Sequence, residues 1–300
     1  MAINIRKFAA IDIGSNAVRF LVHNVIERKG QPVKFKKSEL IRVPIRLGED
    51  AFILGEISEK NQNRMLKAMK SFKLLMDVYG VEAYWACATS AMREANNGQE
   101  LVSKIATEAN IDVDIIDGKV EAKIIASTDL KELLQNGKTY LYVDVGGGST
   151  EFTIFNGNQV KGSKSFKIGT VRLLNQQVKE SVWDAIKLWI KDHLKDAENV
   201  EIIGSGGNIN KLHKMSGRKI GQPLSYIWLN AQYHFLDAMS YEDRIAELGL
   251  NQDRADVIVP ATKIFLNTAK WSKAKKIHVP KIGLSDGMIK TLYHKVTTHA

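Results

Sequence analysis

Short apolar runs that end at glycine alternate along the chain with longer segments in which apolar residues recur every three to four positions. The first kind reads as buried strands closed by turns, the second as amphipathic helices. Residues 8–13 form an apolar run ending at Gly14, and residues 18–26 follow as a strand with Val18, Phe20 and Val22 on one face. Residues 29–32 read as a turn. Ser58 is placed to cap a helix carrying Met65, Leu66, Met69, Phe72, Leu75, Met76 and Tyr79 at helical spacing, and Gly80 ends it. Strands are predicted at 81–87 and 111–116, a short helix start at 91–96, and a helix over 119–135. The second half opens in the same way. A strand at 139–145 runs into Gly146, Gly147 and Gly148, and strands at 151–155 and 160–166 pair across a turn at 156–158. Helices occupy 168–195, and a strand at 200–203 ends in Gly204, Ser205, Gly206 and Gly207. Most of 208–274 reads as helical, including 226–239 and 255–271. A late strand at 276–279 and a helix at 285–295 follow.

The pattern contains a repeat. The first strand ends in Asp12-Ile13-Gly14, and the strand opening the second half ends in Asp144-Val145-Gly146. Two similar α/β units facing each other are expected from this, with the two Asp-bearing strand ends meeting across a cleft. A glycine turn after a strand exposes backbone N–H groups to phosphate oxygens, because no Cβ blocks a close approach. Asp12 and Asp144 stand just before their turns, where carboxylates can hold Mg²⁺ against a phosphate. The plain alternative is two ordinary strand-end turns capped by Asp. One copy alone favours that reading; two copies, with a third turn at Gly206-Gly207, favour phosphate binding. The guanidinium of Arg93 suits a bidentate grip on phosphate, against a surface ion pair with Glu94 or Glu100. Glu121 opens a helix directly after a strand, where it can orient or deprotonate water. It is equally a first-turn glutamate favoured by the helix dipole, and the residues alone favour that simpler role.

Composition changes the picture in three ways. The chain has 300 residues, a length that suits two domains, and a single cysteine, Cys87, which excludes an internal disulfide and a cysteine-based metal cluster. The net charge of +10 is uneven: residues 1–150 hold 21 basic against 19 acidic side chains, residues 151–300 hold 22 against 14. A basic second half suits an acidic partner, with a solvated basic face as the alternative. Two basic groups stand out, Lys161, Lys164, Lys167 and Arg172, and Lys211, Lys214, Arg218 and Lys219. The chain lacks zinc-finger spacing, an RRM signature and a long basic arm, so nucleic acid is not the expected partner. His213, His234 and His278 show no metal-ligand spacing. No apolar run reaches the roughly 20 residues a membrane helix needs, and the N-terminus has no signal-peptide core. A cytoplasmic enzyme without a membrane partner is expected.

The same residues carry a family resemblance. Residues 12–19, with Asp12, Gly14, Ser15, Asn16 and Arg19, resemble the first phosphate loop of the exopolyphosphatase/guanosine pentaphosphate phosphohydrolase family. Residues 88–96, with Thr89, Ser90 and Arg93, are similar to its second motif. Residues 144–151, with Gly146, Gly147, Gly148, Ser149 and Glu151, are similar to its second phosphate loop. Residues 203–207, 254–260 and 283–287 match later stretches, so the resemblance runs through the chain in order. It implies the α/β, actin-like ATPase (ribonuclease-H-like) duplicated fold, with the active site in the interdomain cleft. The first domain is expected over 1–122 with a C-terminal helix at about 285–300, the second over 123–284. The resemblance also implies Mg²⁺-dependent release of terminal phosphate from polyphosphate or guanosine pentaphosphate. Glu121 becomes the catalytic base, in a stretch where Val120 replaces the first of two motif glutamates. Glu151 becomes a metal ligand beside Asp144 and Asp12, and Arg19, Thr89, Ser90 and Arg93 become substrate-binding residues. Longer family members add a helical domain, so this chain resembles the short, two-domain form. A homodimer is admitted. Two rival functions remain at this level: a kinase or ATPase of the same superfamily, and a non-catalytic sensor of polyphosphate or an alarmone, which Val120 keeps open.

Overall fold

The structure, a computed structural model, describes residues 3–298 apart from 129, 136 and 158. The N-terminal apolar run becomes β1 (Ile3–Ile13), whose second half is buried, and β2 (Val18–Arg28) returns antiparallel to it. β3 (Lys34–Val43) pairs with β2 on the outside of the sheet. This strand was not expected: most of its residues face solvent, so it has no apolar alternation to read, and lysines on an edge strand discourage pairing with other chains. The short helix α1 (Leu47–Ile53) leads to α2 (Glu59–Tyr79). As the sequence indicates, Ser58 caps α2 through its side chain, and Gly80 closes it in the left-handed region at φ 64°. Phe72 of α2 stacks on Phe20 of β2 with ring centroids 5.0 Å apart, seating the helix on the sheet.

β4 (Ala83–Ala88) runs parallel to β1, then α3 (Ser90–Glu94) and α4 (Gly98–Ala109) precede β5 (Asp114–Ile115). The helix expected over 119–135 is not continuous. It divides into α5 (Gly118–Ala126) and α6 (Leu130–Leu133). At the break the hydroxyls of Ser127 and Thr128 donate to the carbonyls of Ile124 and Ile125. These hydroxyls compete with the helical ladder.

Then β6 (Thr139–Val145), β7 (Thr150–Asn156) and β8 (Gln159–Phe166) form an antiparallel meander. The turn expected at 156–158 includes residue 158, which lies outside the described residues. Next come α7 (Thr170–Leu174), α8 (Glu180–His193), β9 (Glu201–Ser205) and α9 (Gly207–Met215). They are followed by β10 (Leu224–Ser225), α10 (Tyr226–Ala238), α11 (Tyr241–Ala246), α12 (Gln252–Ala255), α13 (Ile258–Ser272) and β11 (Lys276–His278). The last helix is α14 (Leu284–Thr298).

The chain divides into two compact units. One is Met1–Thr128 with Gly283–Ala300, the other Asp129–Ile282. The first sheet has the order β3-β2-β1-β4-β5. The second has β8-β7-β6-β9-β11, with the two-residue β10 added beyond β11. In each, the first three strands are antiparallel neighbours and the fourth and fifth are parallel additions. The fold is therefore α/β and duplicated, each sheet having the ribonuclease-H-like order of the actin-like architecture. Each unit has its own core, with Phe20, Met69 and Phe72 in the first and Phe152, Phe265 and Trp183 in the second.

Candidate active site

In the first unit, β1 and β2 are joined by residues 14–17, since Ile13 faces Val18 in register. The N–H of Gly14 donates to the carbonyl of Ala17 at 3.2 Å and closes the loop. Its outer carbonyls are taken by the start of α1: Arg46 N donates to Asn16 O at 3.0 Å and Gly48 N to Ser15 O at 2.7 Å. Gly48 permits that approach, because a Cβ there would meet the Ser15 Cβ at 3.0 Å. On the inner side the Ser15 and Ser90 hydroxyls share a buried hydrogen bond of 2.9 Å, and Thr89 N donates to Ile13 O. The first loop and the 88–96 motif are thus one assembly.

Asp12 is buried at the end of β1 and faces Arg19 in register, whose Nη1 donates to Asp12 Oδ2 at 2.9 Å. Beside Asp12 on β4 lies the buried Cys87. Burial pushes the Cys87 thiol well up, and the carboxylates of Asp114, Asp12 and Glu121 act in the same direction. Asp12 and Glu121 therefore both lie within electrostatic reach of one buried atom. Arg93 is exposed and donates through Nη1 to Ile116 O at 2.6 Å, which sets it beside the turn into α5.

That turn positions Glu121. Asp117 caps α5 by accepting from Lys119 N and Val120 N, at 2.9 and 2.8 Å. Those hydrogen bonds, from Val120 first and then Lys119, hold the Asp117 carboxyl below its usual range. Glu121 sits one turn in, half-buried, while Val120 is 37% exposed. From behind, α14 packs so closely on α5 that a Cβ at Gly287 would fall 2.3 Å from the carbonyl of Ile124. No methylated residue fits there without moving the helix that carries Glu121.

The second unit repeats the construction. Residues 146–149 join β6 to β7, with Val145 facing Thr150, and Gly146 N donates to Ser149 O at 3.0 Å. The outer carbonyls are again taken by a helix start: Thr170 N donates to Gly146 O and Val171 N to Gly147 O, at 3.0 and 2.9 Å. Arg172, grouped with the basic track in the sequence, is instead buried, and its Nε donates to Gly148 O at 2.8 Å. Gly169 has the place of Gly48. A Cβ there would lie 2.3 Å from Gly147 O. The sequence reading missed both glycines, yet a signal exists: Arg46-Leu47-Gly48 and Lys167-Ile168-Gly169 repeat the pattern basic, aliphatic, glycine.

Asp144 and Glu151 face each other in register on β6 and β7. Glu151 is buried and its Oε1 accepts from Ser149 at 2.6 Å and Ser165 at 2.9 Å. Its cross-strand neighbour on β8 is Ser165. Asp144 Oδ2 accepts from Ser205 at 3.2 Å and Tyr142 at 3.3 Å. Gly206 adopts φ 116° at the start of α9, and a Cβ there would sit 2.9 Å from Val145 O and 3.6 Å from Asp144 Oδ1. Gly207 opens α9, which carries Lys211 and Lys214. Burial holds the Lys211 amine below its usual value, and Lys214 and Arg254 nearby add to this. Among the described residues no group of three or more His, Cys, Asp or Glu could hold a metal, and no helix is long and apolar enough to cross a membrane.

Residues 31–296 match the model of the Ppx/GppA phosphatase family. A bifunctional 3-dehydroquinate synthase/phosphatase of Fusobacterium nucleatum is 32% identical over 66% of this chain, which spans 32% of that protein. A guanosine-5'-triphosphate,3'-diphosphate pyrophosphatase of Photobacterium profundum is 25% identical over 97% of this chain, which spans 60% of it. The crystal structure of an exopolyphosphatase from Cytophaga hutchinsonii is 25% identical, with a TM-score of 0.81 over 97% of this chain and 98% of that one. The repeated loops, the ribonuclease-H-like strand order in both units and the match across nearly the full length agree: the chain belongs to the Ppx/GppA phosphatase family.

Proposed function

We propose that this chain is a phosphohydrolase that releases terminal orthophosphate from inorganic polyphosphate or guanosine pentaphosphate by base-assisted attack of water. The observation that carries this reading is the duplicated loop device. Two four-residue glycine loops have carbonyls bound by a following helix, and in this reading their N–H groups serve the ligand. Such a concavity of N–H groups binds phosphate oxygens. The names of the Photobacterium and Cytophaga proteins supply the two substrate classes.

In the proposed reaction Glu121 accepts a proton from water through a carboxylate oxygen. The water oxygen bonds to the terminal phosphorus, the bond to the bridging oxygen breaks, and the chain leaves one phosphate shorter. Gly14, Ser15 and Asn16 in one unit, and Gly146, Gly147, Gly148 and Ser149 in the other, bind phosphate oxygens together with Gly206 and Gly207. Thr89 and Ser90 brace the first loop. Arg93 offsets negative charge on the phosphates. Asp144 and Glu151 fit a magnesium ion, which takes oxygen ligands and commonly has only one or two carboxylates from protein, substrate phosphates supplying others. Asp12 is the third proposed ligand, with one of its oxygens already accepting from Arg19. When bound, the metal neutralises phosphate charge.

A malachite-green assay of long polyphosphate, short polyphosphate, guanosine pentaphosphate and ATP, each with and without Mg²⁺, tests the reading. Metal-dependent phosphate release from one of the first three is expected, and its loss, with binding retained, in Glu121→Gln. Turnover of ATP alone would replace it with an ATPase. Binding of guanosine polyphosphate without any release would make the chain a sensor.

A further inference from the structure

We infer that the second unit carries an additional binding site for a phosphate-chain anion, at the opposite end of its sheet from the glycine loop. A cavity of about 590 Å³ opens where α8 and α13 end and where β9 and β11 begin. β9 runs from Glu201, at this cavity, to Ser205, beside Asp144. Four residue steps at about 3.3 Å each put the two sites roughly 13 Å apart. The cavity is therefore no part of the loop site, and nothing in the proposed hydrolysis uses it.

Its walls are strongly basic. Lys191, Lys195, Lys273, Lys275 and Lys276 all line it, against one carboxylate, Glu201. That carboxylate is already engaged, by His278 at 2.7 Å and Lys276 at 3.4 Å. Among the described residues the other four lysines make no ion pair. Two helix C-termini explain part of the grouping, since each attracts cations with about half a negative charge. The sum still leaves about three positive charges around one concavity. A solvated basic face spreads like charges apart; these converge on a hollow of ligand size, where concave walls focus the potential. Trp271 forms an apolar wall, held edge-on against Trp183 at 5.9 Å, and provides a reporter. The matching chemistry is an anion with several linked phosphates, carried by free polyphosphate or by a nucleoside polyphosphate. A single phosphate engages too few of the lysines.

The test is a titration of the full chain with tripolyphosphate in the Glu121→Gln background, following tryptophan fluorescence. A saturable change is expected, absent in Trp271→Phe and shifted at least tenfold in a variant carrying Lys191→Gln, Lys195→Gln and Lys275→Gln. These three make no described ion pair, and phosphate release by the same triple variant with Glu121 restored should be unchanged. Calorimetric competition with guanosine triphosphate distinguishes the sources: displacement assigns a nucleoside polyphosphate as an accepted ligand, no displacement a free chain. Unaltered tripolyphosphate binding in the triple variant, or equal saturation by inorganic phosphate, would overturn the inference.

Discussion

Replacing Gly169 by alanine tests whether the glycine loop of the second unit must lie where α7 holds it. Gly169 has φ −150°, an extended conformation any residue adopts, so backbone strain contributes nothing. The whole effect is steric. The new Cβ would sit 2.3 Å from Gly147 O, 2.4 Å from its carbonyl carbon and 2.5 Å from Gly148 N, where ordinary contact begins near 3.4 Å. The loop must retreat by about an ångström, because the obstructing atoms are backbone and cannot swing away. Overpacking of this kind costs about 1–3 kcal/mol. A shift of about 1 Å in a positioning group costs up to about 10²-fold in rate. The hydrogen bond from Val171 N to Gly147 O, 2.9 Å, stretches with it. We expect kcat/KM for phosphate release to fall about a hundredfold and Tm to drop. Gly283→Ala is the control, since a Cβ there meets nothing within 4 Å. Gly169→Ala with kcat/KM within threefold of the wild type would refute the claim that α7 sets the loop.

Other substitutions probe the remaining parts. Glu151→Gln should leave Tm in metal-chelating buffer unchanged or higher, because two carboxylates face each other in register, while metal-dependent phosphate release falls about a hundredfold. Val120→Glu places an acid in the first turn of α5 at a partly exposed position, so it should stabilise by about 0.3–1 kcal/mol without lowering phosphate release, read by thermal melting. Asp286 governs an acid limit. Burial alone would raise its carboxyl, but His23 and Lys37 hold it below the usual 3.8. A folded-state value below the unfolded one gives stability that is present above the unfolded value and lost as pH falls through the folded one. The Tm difference between wild type and Asp286→Asn should therefore shrink between about pH 5 and pH 3.

The glycine loops were legible because both signals that mark them are local: an apolar run long enough to be a buried strand, and glycine where it stops. The capping of α2 was legible for the same reason. β3 was not, since an exposed edge strand carries no burial pattern. Gly48 and Gly169 were marked only by a repeated basic-aliphatic-glycine pattern, because their requirement comes from a backbone distant in sequence and adjacent only after folding. Arg172 looked like surface charge beside Lys161, Lys164 and Lys167. Its burial against Gly148 O depends on where α7 docks, which no local pattern encodes.

The duplication also shows how one scaffold takes two electrostatic roles. The residue facing the strand-end aspartate is Arg19 in the first unit and Glu151 in the second, at equivalent register positions. The first pairing neutralises itself: a guanidinium lies 2.9 Å from the carboxylate. The second places two carboxylates on adjacent strands, an arrangement that destabilises a sheet unless something offsets it. Hydroxyls of Ser149, Ser165, Ser205 and Tyr142 donate to these two carboxylates, satisfying oxygens without removing charge. Two facing carboxylates at the mouth of a phosphate loop suit a divalent cation, which takes carboxylate oxygens, better than Asp12, which already holds a guanidinium. On this argument the proposed metal ion is favoured chiefly at Asp144 and Glu151. The likeness of Asp12-Ile13-Gly14 to Asp144-Val145-Gly146, which suggested symmetrical roles, conceals a division of labour set by one residue on the next strand.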